Sequence, residues 1–131
     1  MKILALDYGE AKVGLSISEG QMAQPLKVEP KTKDFLKKIK DFCQKEEIEK
    51  IVVGISEGKM AQKQKAFGVE IEKACHLPVE FWDETLTSQE ALSQMIKLGL
   101  KRKSRRHEDA FAAALILESY LESQRKVTPH G

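Results

Sequence analysis

Three regions of this 131-residue chain place acids where a backbone would display them at one edge of a sheet. Asp7 directly follows the apolar run Ile3-Leu4-Ala5-Leu6 and precedes Gly9 by two residues. A carboxylate at the end of a buried strand is presented near the sheet edge where α/β folds place their chemistry. Asp-x-Gly is also an ordinary turn sequence, so Asp7 alone decides nothing. Asp83 and Glu84 follow Phe81-Trp82. Neighbouring strand residues point to opposite faces, so without a bend only one of these two acids joins a shared site. Glu108 and Asp109 precede the run Ala110–Leu117, where acids would also suit the start of a helix. Asp109 shares a helical stripe with Ala112, Ala113 and Ile116, small enough for the helix to approach a sheet closely. If the three regions converge, they make an oxygen-rich site without imidazole or thiolate. Carboxylates crowded in this way repel one another unless a hard divalent cation, Mg²⁺ or Mn²⁺, bridges them. Such a site is suited to hydrolysing a phosphodiester.

A phosphate substrate also needs cations. The net charge of +2 is too small to argue for nucleic acid, but Lys97, Lys101, Arg102, Lys103, Arg105 and Arg106 stand together with no acid between them. This local positive field lies next to Asp109, and Lys101, Arg102, Lys103, Arg105 and Arg106 are the candidate phosphate contacts. The competing reading is a solvated lysine-rich loop. His76, His107 and His130 are scattered, and Cys43 and Cys75 form no C-x-x-C pair, so no zinc spacing exists and two reduced cysteines on packed helices are expected.

Several elements must hold these residues. Lys2–Leu6 reads as a strand buried on both faces, Lys12–Ser18 as a second strand, and Met22–Val28 as a third on which Pro25 favours an edge position. Short turns between them predict an antiparallel meander. Helical spacing from Thr32 is set by Phe35, Leu36, Ile39, Phe42 and Cys43. A strand over Ile48–Ile55, a helix over Met60–Cys75, a strand over Pro78–Asp83 and a helix over Ser88–Leu98 follow. A final helix is expected from about Glu108 to Gln124. The fold class is therefore α/β: a mixed five-stranded sheet, three antiparallel strands followed by alternating helices and strands, flanked by helices. One domain over residues 1–126 with a loose tail over 127–131 is expected.

The segment from Leu6 to Ser18, with Asp7, Gly9, Lys12, Gly14 and Ser16, resembles the opening of the YqgF/RuvX family. These ribonuclease H-like proteins are described as pre-16S ribosomal RNA nucleases and, earlier, as Holliday junction resolvases. Ile51–Ile55, Trp82–Ala91 and Asp109–Leu121 are similar to the family's later segments, in order and over nearly the whole chain. The resemblance implies a ribonuclease H-like fold and Asp7, Glu84 and Asp109 as catalytic, metal-binding carboxylates, with Asp83 the weaker candidate for the second place. It also implies Mg²⁺ or Mn²⁺ as cofactor and Lys12 as a substrate contact in the place of a family arginine. Thr85 stands where the family pattern has another arginine.

The expected function is thus metal-dependent hydrolysis of phosphodiester bonds, in processing the 5′ end of pre-16S ribosomal RNA. A structure-selective endonuclease cutting Holliday junctions uses the same chemistry, and a symmetric dimer would suit it. A catalytically weak nucleic-acid-binding protein in transcription or ribosome assembly is the alternative from another class. Monomer and homodimer both stay open. No apolar run reaches the roughly 20 residues of a membrane helix, and the short apolar start meets Asp7 at once, so a cytoplasmic protein is expected.

Overall fold

A computed structural model describes residues 1–19, 22–86, 92–93, 96–97 and 105–127. Strand β1 spans Ile3–Tyr8, β2 Lys12–Ser18 and β3 Ala23–Pro30. Helix α1 (Phe35–Lys45), strand β4 (Lys50–Ile55), helix α2 (Lys59–Cys75) and strand β5 (Val79–Asp83) alternate after them. A single 3₁₀ turn, Glu84–Leu86, follows β5, and helix α3 covers Arg105–Val127. The five strands form one sheet in the order β3-β2-β1-β4-β5. The first three are antiparallel, whereas β1–β4 and β4–β5 are parallel, as strands joined by crossover helices must be.

Alternation along the strands builds two cores. Leu4, Leu6, Val13, Leu15, Ile51 and Val53 point to one face and pack against Phe35, Ile39 and Cys43 of α1 and Phe67 and Ile71 of α2. Ile3, Ala5 and Val52 point to the other face, under Phe111, Ala114, Ile116, Leu117 and Tyr120 of α3. Asp7 has the parity of Ile3 and Ala5, so it belongs to the α3 face. On the same face β2 contributes Gly14, Ser16 and Ser18, all buried, which keeps the surface low where α3 lies against it. Helix α3 is pinned at its far end: Lys50 Nζ donates to Tyr120 Oη at 2.6 Å and Trp82 Nε1 donates to Ser119 Oγ at 3.0 Å.

Pro25 lies on the edge strand, and the register there carries a bulge. Leu15 pairs with Lys27 but Ser16 pairs with Pro25, leaving Leu26 as the extra residue. A proline without an N–H is accommodated at such an edge. Several boundaries differ from the periodicity: β1 runs on through Asp7 to Tyr8, β4 begins at Lys50 and α1 at Phe35. Strand β3 runs on to Pro30, and α3 begins at Arg105 rather than near Glu108. Arg105 and Arg106, expected in a loop, therefore occupy the first turn of α3, and Asp109 sits one turn inside it. The reason is that apolar periodicity marks a helix only from its first core contact, Ala110, whereas polar residues extend the backbone ladder before that point. Of the expected helix over Ser88–Leu98, residues 92–93 and 96–97 are described, as helical, and the rest lies outside the described residues. Among the described residues no helix is long and apolar enough to cross a membrane. Cys43 and Cys75 are free thiols on α1 and at the end of α2.

Candidate active site

The turn that follows β1 sets where Asp7 is displayed. Gly9 N–H donates to the Lys12 carbonyl at 3.0 Å, closing the hairpin between β1 and β2. A Cβ on Gly9 would lie 2.7 Å from that carbonyl oxygen, so the glycine is required by close approach of backbone. Asp7 is half-buried and pairs across the ladder with Gly14 of β2. On its other side the parallel ladder ends at Leu6 and Val53, one residue before Asp7 and Gly54. Adjacent strands lie about 4.8 Å apart, so Gly54 is the neighbour of Asp7 on β4.

Gly54 is the feature that joins two of the expected acids. A Cβ built there would stand 3.1 Å from Glu84 Oε1, 3.3 Å from Glu84 Cγ and 2.5 Å from Ile116 Cδ1. The Glu84 side chain therefore occupies the space over Gly54, beside Asp7, and Ile116 of α3 reaches the same point. Glu84 follows the end of β5, where Gly54 pairs with Trp82 and Ile55 with Asp83. Chain geometry at this point also separates the two acids. Asp83 Oδ1 accepts from Thr85 N–H at 2.8 Å and from Thr85 Oγ at 2.7 Å. These bonds cap the 3₁₀ turn and hold the Asp83 carboxyl below the usual carboxylate range, first through the hydroxyl and then through the backbone. Asp83 is exposed and engaged with its own turn, while Glu84 is half-buried over Gly54. Thr85, where the family pattern has arginine, thus serves the turn.

Asp109 is described in its backbone. It lies seven residues before Ile116 on one stripe of α3, about 10 Å along the helix axis. Tyr120 sits near Lys50 at the start of β4 and Ile116 near Gly54 at its end, so α3 runs opposite to β4 and its N-terminal turns lead toward the edge holding Asp7 and Glu84. Lys12, exposed, opens β2 at the same edge. Lys101, Arg102 and Lys103 lie outside the described residues, and Arg105 and Arg106 are described in their backbone alone. Among the described residues no three His, Cys, Asp or Glu side chains group closely enough to hold a metal ion. Of the three expected acids, Asp7 and Glu84 have described side chains; both offer hard carboxylate oxygens, and Glu84 fills the cradle that a Gly54 side chain would occupy. That chemistry fits Mg²⁺ or Mn²⁺ rather than a softer ion.

Apolar patterning marks Gly54 only as the end of a buried run. A glycine inside a strand is nonetheless a recognisable mark of close approach by another group, and that is the signal by which the position can be found. Gly54→Ala is expected to push Glu84 and Ile116 apart and lower cleavage at least about tenfold. Circular dichroism should stay unchanged, because the displaced atoms are ends of flexible side chains. Wild-type turnover in Gly54→Ala would show that the position of Glu84 over Gly54 is unimportant.

The model of the family described as RuvX, Holliday junction resolvase, matches residues 1–123. A relative from Halothermothrix orenii, provisionally named pre-16S rRNA nuclease, is 36% identical over 142 residues and covers 100% of both chains. Another under the same name, from Pelotomaculum thermopropionicum, is 37% identical over 95% of this chain and 88% of its own. Among solved structures, Thermus thermophilus RuvC in complex with a Holliday junction substrate superposes with a TM-score of 0.65 at 16% identity, covering 95% of this chain and 96% of that one. The fowlpox virus Holliday junction resolvase superposes with a TM-score of 0.60 at 14% identity, over 94% and 99%. These two likenesses speak for the fold, ribonuclease H-like as expected. The full-length match in sequence speaks for more: the chain belongs to the RuvX family and is a nuclease, a hydrolase of phosphodiester bonds.

Proposed function

We propose that this nuclease uses Asp7, Glu84 and Asp109 to hold Mg²⁺ or Mn²⁺ and that its substrate is the 5′ region of precursor 16S ribosomal RNA, in the cytoplasm. The observation that carries the proposal is the Glu84 carboxylate lying over Gly54, the β4 residue one step past the Leu6–Val53 pair, as Asp7 is on β1. A divalent cation bound there would offset the repulsion of the acids and polarise both the phosphate and the attacking water. Asp7 and Glu84 would hold the cation from β1 and from the 3₁₀ turn that directly follows β5, so their spacing would not depend on a long loop. Lys12, Lys101, Arg102, Lys103, Arg105 and Arg106 would hold the backbone phosphates without reading sequence. Purified protein offered labelled precursor ribosomal RNA and a four-way DNA junction, each with Mg²⁺, Mn²⁺ or EDTA, tests this. RNA cleavage lost in EDTA is the expected result. Cleavage of the junction alone would move the substrate to branched DNA, the reading that the family's description favours. Binding of either without cleavage would leave a nucleic-acid-binding protein.

The basic segment makes a separate forecast. Binding of RNA should weaken steeply with salt, each phosphate contact contributing roughly 0.7–0.9 to the log–log slope. Replacing Arg102 and Arg105 by Ala should lower that slope by about 1–2 while weakening all sequences alike. A solvated segment without a role would leave affinity and slope where they were.

A further inference from the structure

We propose that the β1–β2 turn carries a second phosphate-binding ledge, formed by Lys31 and Lys63, on the face of the sheet opposite Asp7. The inference rests on the nuclease reading above and extends its substrate track. Asp7 and Tyr8 are consecutive residues about 3.8 Å apart whose side chains point to opposite faces. Tyr8 packs on the α1–α2 side, its ring centroid 4.7 Å from that of Phe67. Lys31 Nζ donates to Tyr8 Oη at 2.8 Å and lies 4.2 Å from the ring centroid. The Lys31 backbone N–H donates to the Ala11 carbonyl at 3.0 Å, so this lysine is held to the turn at both ends. Lys63 reaches the same turn from α2, 2.6 Å from Glu10 Oε1.

The charges facing Glu10 do not balance. Glu10 is drawn below the ordinary carboxylate range first by Lys63 and, more weakly, by Lys31, so two ammonium groups share one acid. Lys31 meets a neutral phenol, which orients an ammonium without cancelling its charge. The Lys63–Glu10 pair is mostly exposed, with side chains 56% and 63% accessible, and pairs of that kind contribute little to folding. A phosphate therefore competes well for either lysine. The Tyr8 ring, covered by Phe67 and by Lys31, acts as a pedestal rather than a stacking surface for bases. Helix α3, whose first turn includes Arg105 and Arg106, lies on the opposite face of the sheet. A single strand touching both would cross the sheet edge over the carboxylates instead of running along it.

The test is fluorescence-anisotropy binding of a labelled single-stranded RNA in EDTA across a potassium chloride series. Lys31→Gln with Lys63→Gln keeps most of the aliphatic stems and removes both charges. It should weaken binding about tenfold in moderate salt and lower the log–log slope by about 1.4, at roughly 0.7 for each single-strand phosphate no longer neutralised. The Lys31→Arg, Lys63→Arg pair should keep the wild-type slope, and Tyr8→Phe should cost less than about threefold with the slope unchanged. Should the double Gln variant melt early, Lys63→Gln alone is expected to lower the slope by about 0.7. A folded double variant with wild-type slope and intact cleavage would overturn the ledge and leave the nuclease site standing. A reduced slope in a protein that never cleaves RNA or DNA would overturn the catalytic reading and keep the ledge. Wild-type protein that fails to bind RNA would overturn both.

Discussion

Asp7→Asn is expected to lower phosphodiester cleavage at least about a thousandfold, near 4 kcal/mol of transition-state stabilisation, with fold and RNA binding retained. Asn keeps the shape and one carbonyl oxygen but loses the charge with which Asp7 would hold a divalent cation. The hairpin should survive, because its closure runs through the backbone of Gly9 and Lys12. Glu84→Gln should have an effect of the same order, since its carboxylate stands over Gly54 beside Asp7. Asp83→Asn is the contrasting case. Its carboxylate already accepts two bonds from Thr85, so the substitution should loosen the 3₁₀ turn and reduce turnover only several-fold. Metal-supported cleavage by each variant, measured on one labelled RNA, distinguishes these outcomes. Equal rates for Asp7→Asn and wild type would return Asp7 to the role of a turn residue. Equal losses at Asp83 and Glu84 would show that the 3₁₀ turn, rather than a particular carboxylate, is what matters.

Much of this arrangement is legible in the residues, for reasons that can be stated. The run Ile3–Leu6 reads as a strand covered on both faces, the alternation of Val13, Leu15 and Ile17 as a second strand, and the short turn between them makes the two neighbours. Pro25 marks the edge, because a proline in a central strand would leave a ladder carbonyl unmet. What local pattern does not contain is which strands become neighbours after the crossovers. That Gly54 stands beside Asp7 follows from the parallel pairing of β4 with β1, set between residues 47 apart such as Leu6 and Val53. The difference in surroundings between Asp83 and Glu84 is non-local only in part. Alternation along β5 leaves both candidates; the Thr85 cap, two residues away, engages Asp83, whereas the open surface of Gly54 under Glu84 is reached only through the pairing of β4 with β5. Helix α3 illustrates the converse limit. Its buried length from Ala110 to Leu121 is plain from composition, but its polar first turn, including Arg105 and Arg106, is set by backbone hydrogen bonding and has no apolar signature.

Glu118 is the buried group that composition does not announce, and removing it should cost more stability than any other single change named above. Its side chain is 1% accessible within the face of α3 that meets the sheet. Oε1 accepts from the Ala23 N–H at 3.2 Å, and Oε2 faces Arg125 NH2 at 3.0 Å. One carboxylate therefore ties the start of the edge strand β3 to the helix that carries Asp109. Glu118→Ala leaves the Ala23 N–H without that acceptor in a dry environment, about 1–3 kcal/mol, and opens space in the interface besides. A total loss of about 2–4 kcal/mol is expected, lowering Tm by roughly 10 °C in a domain of this length. Glu118→Gln keeps an acceptor for Ala23 and loses only the charge facing Arg125, whose side chain is 43% accessible, so its loss should stay near about 1 kcal/mol. Thermal melts of the two variants separate the contributions. If Gln is as damaging as Ala, the ion pair dominates; if both melt with the wild type, β3 is not held through Glu118. Cleavage by Glu118→Gln at low temperature should match the wild type, because the tie acts on where α3 lies and not on the reacting groups.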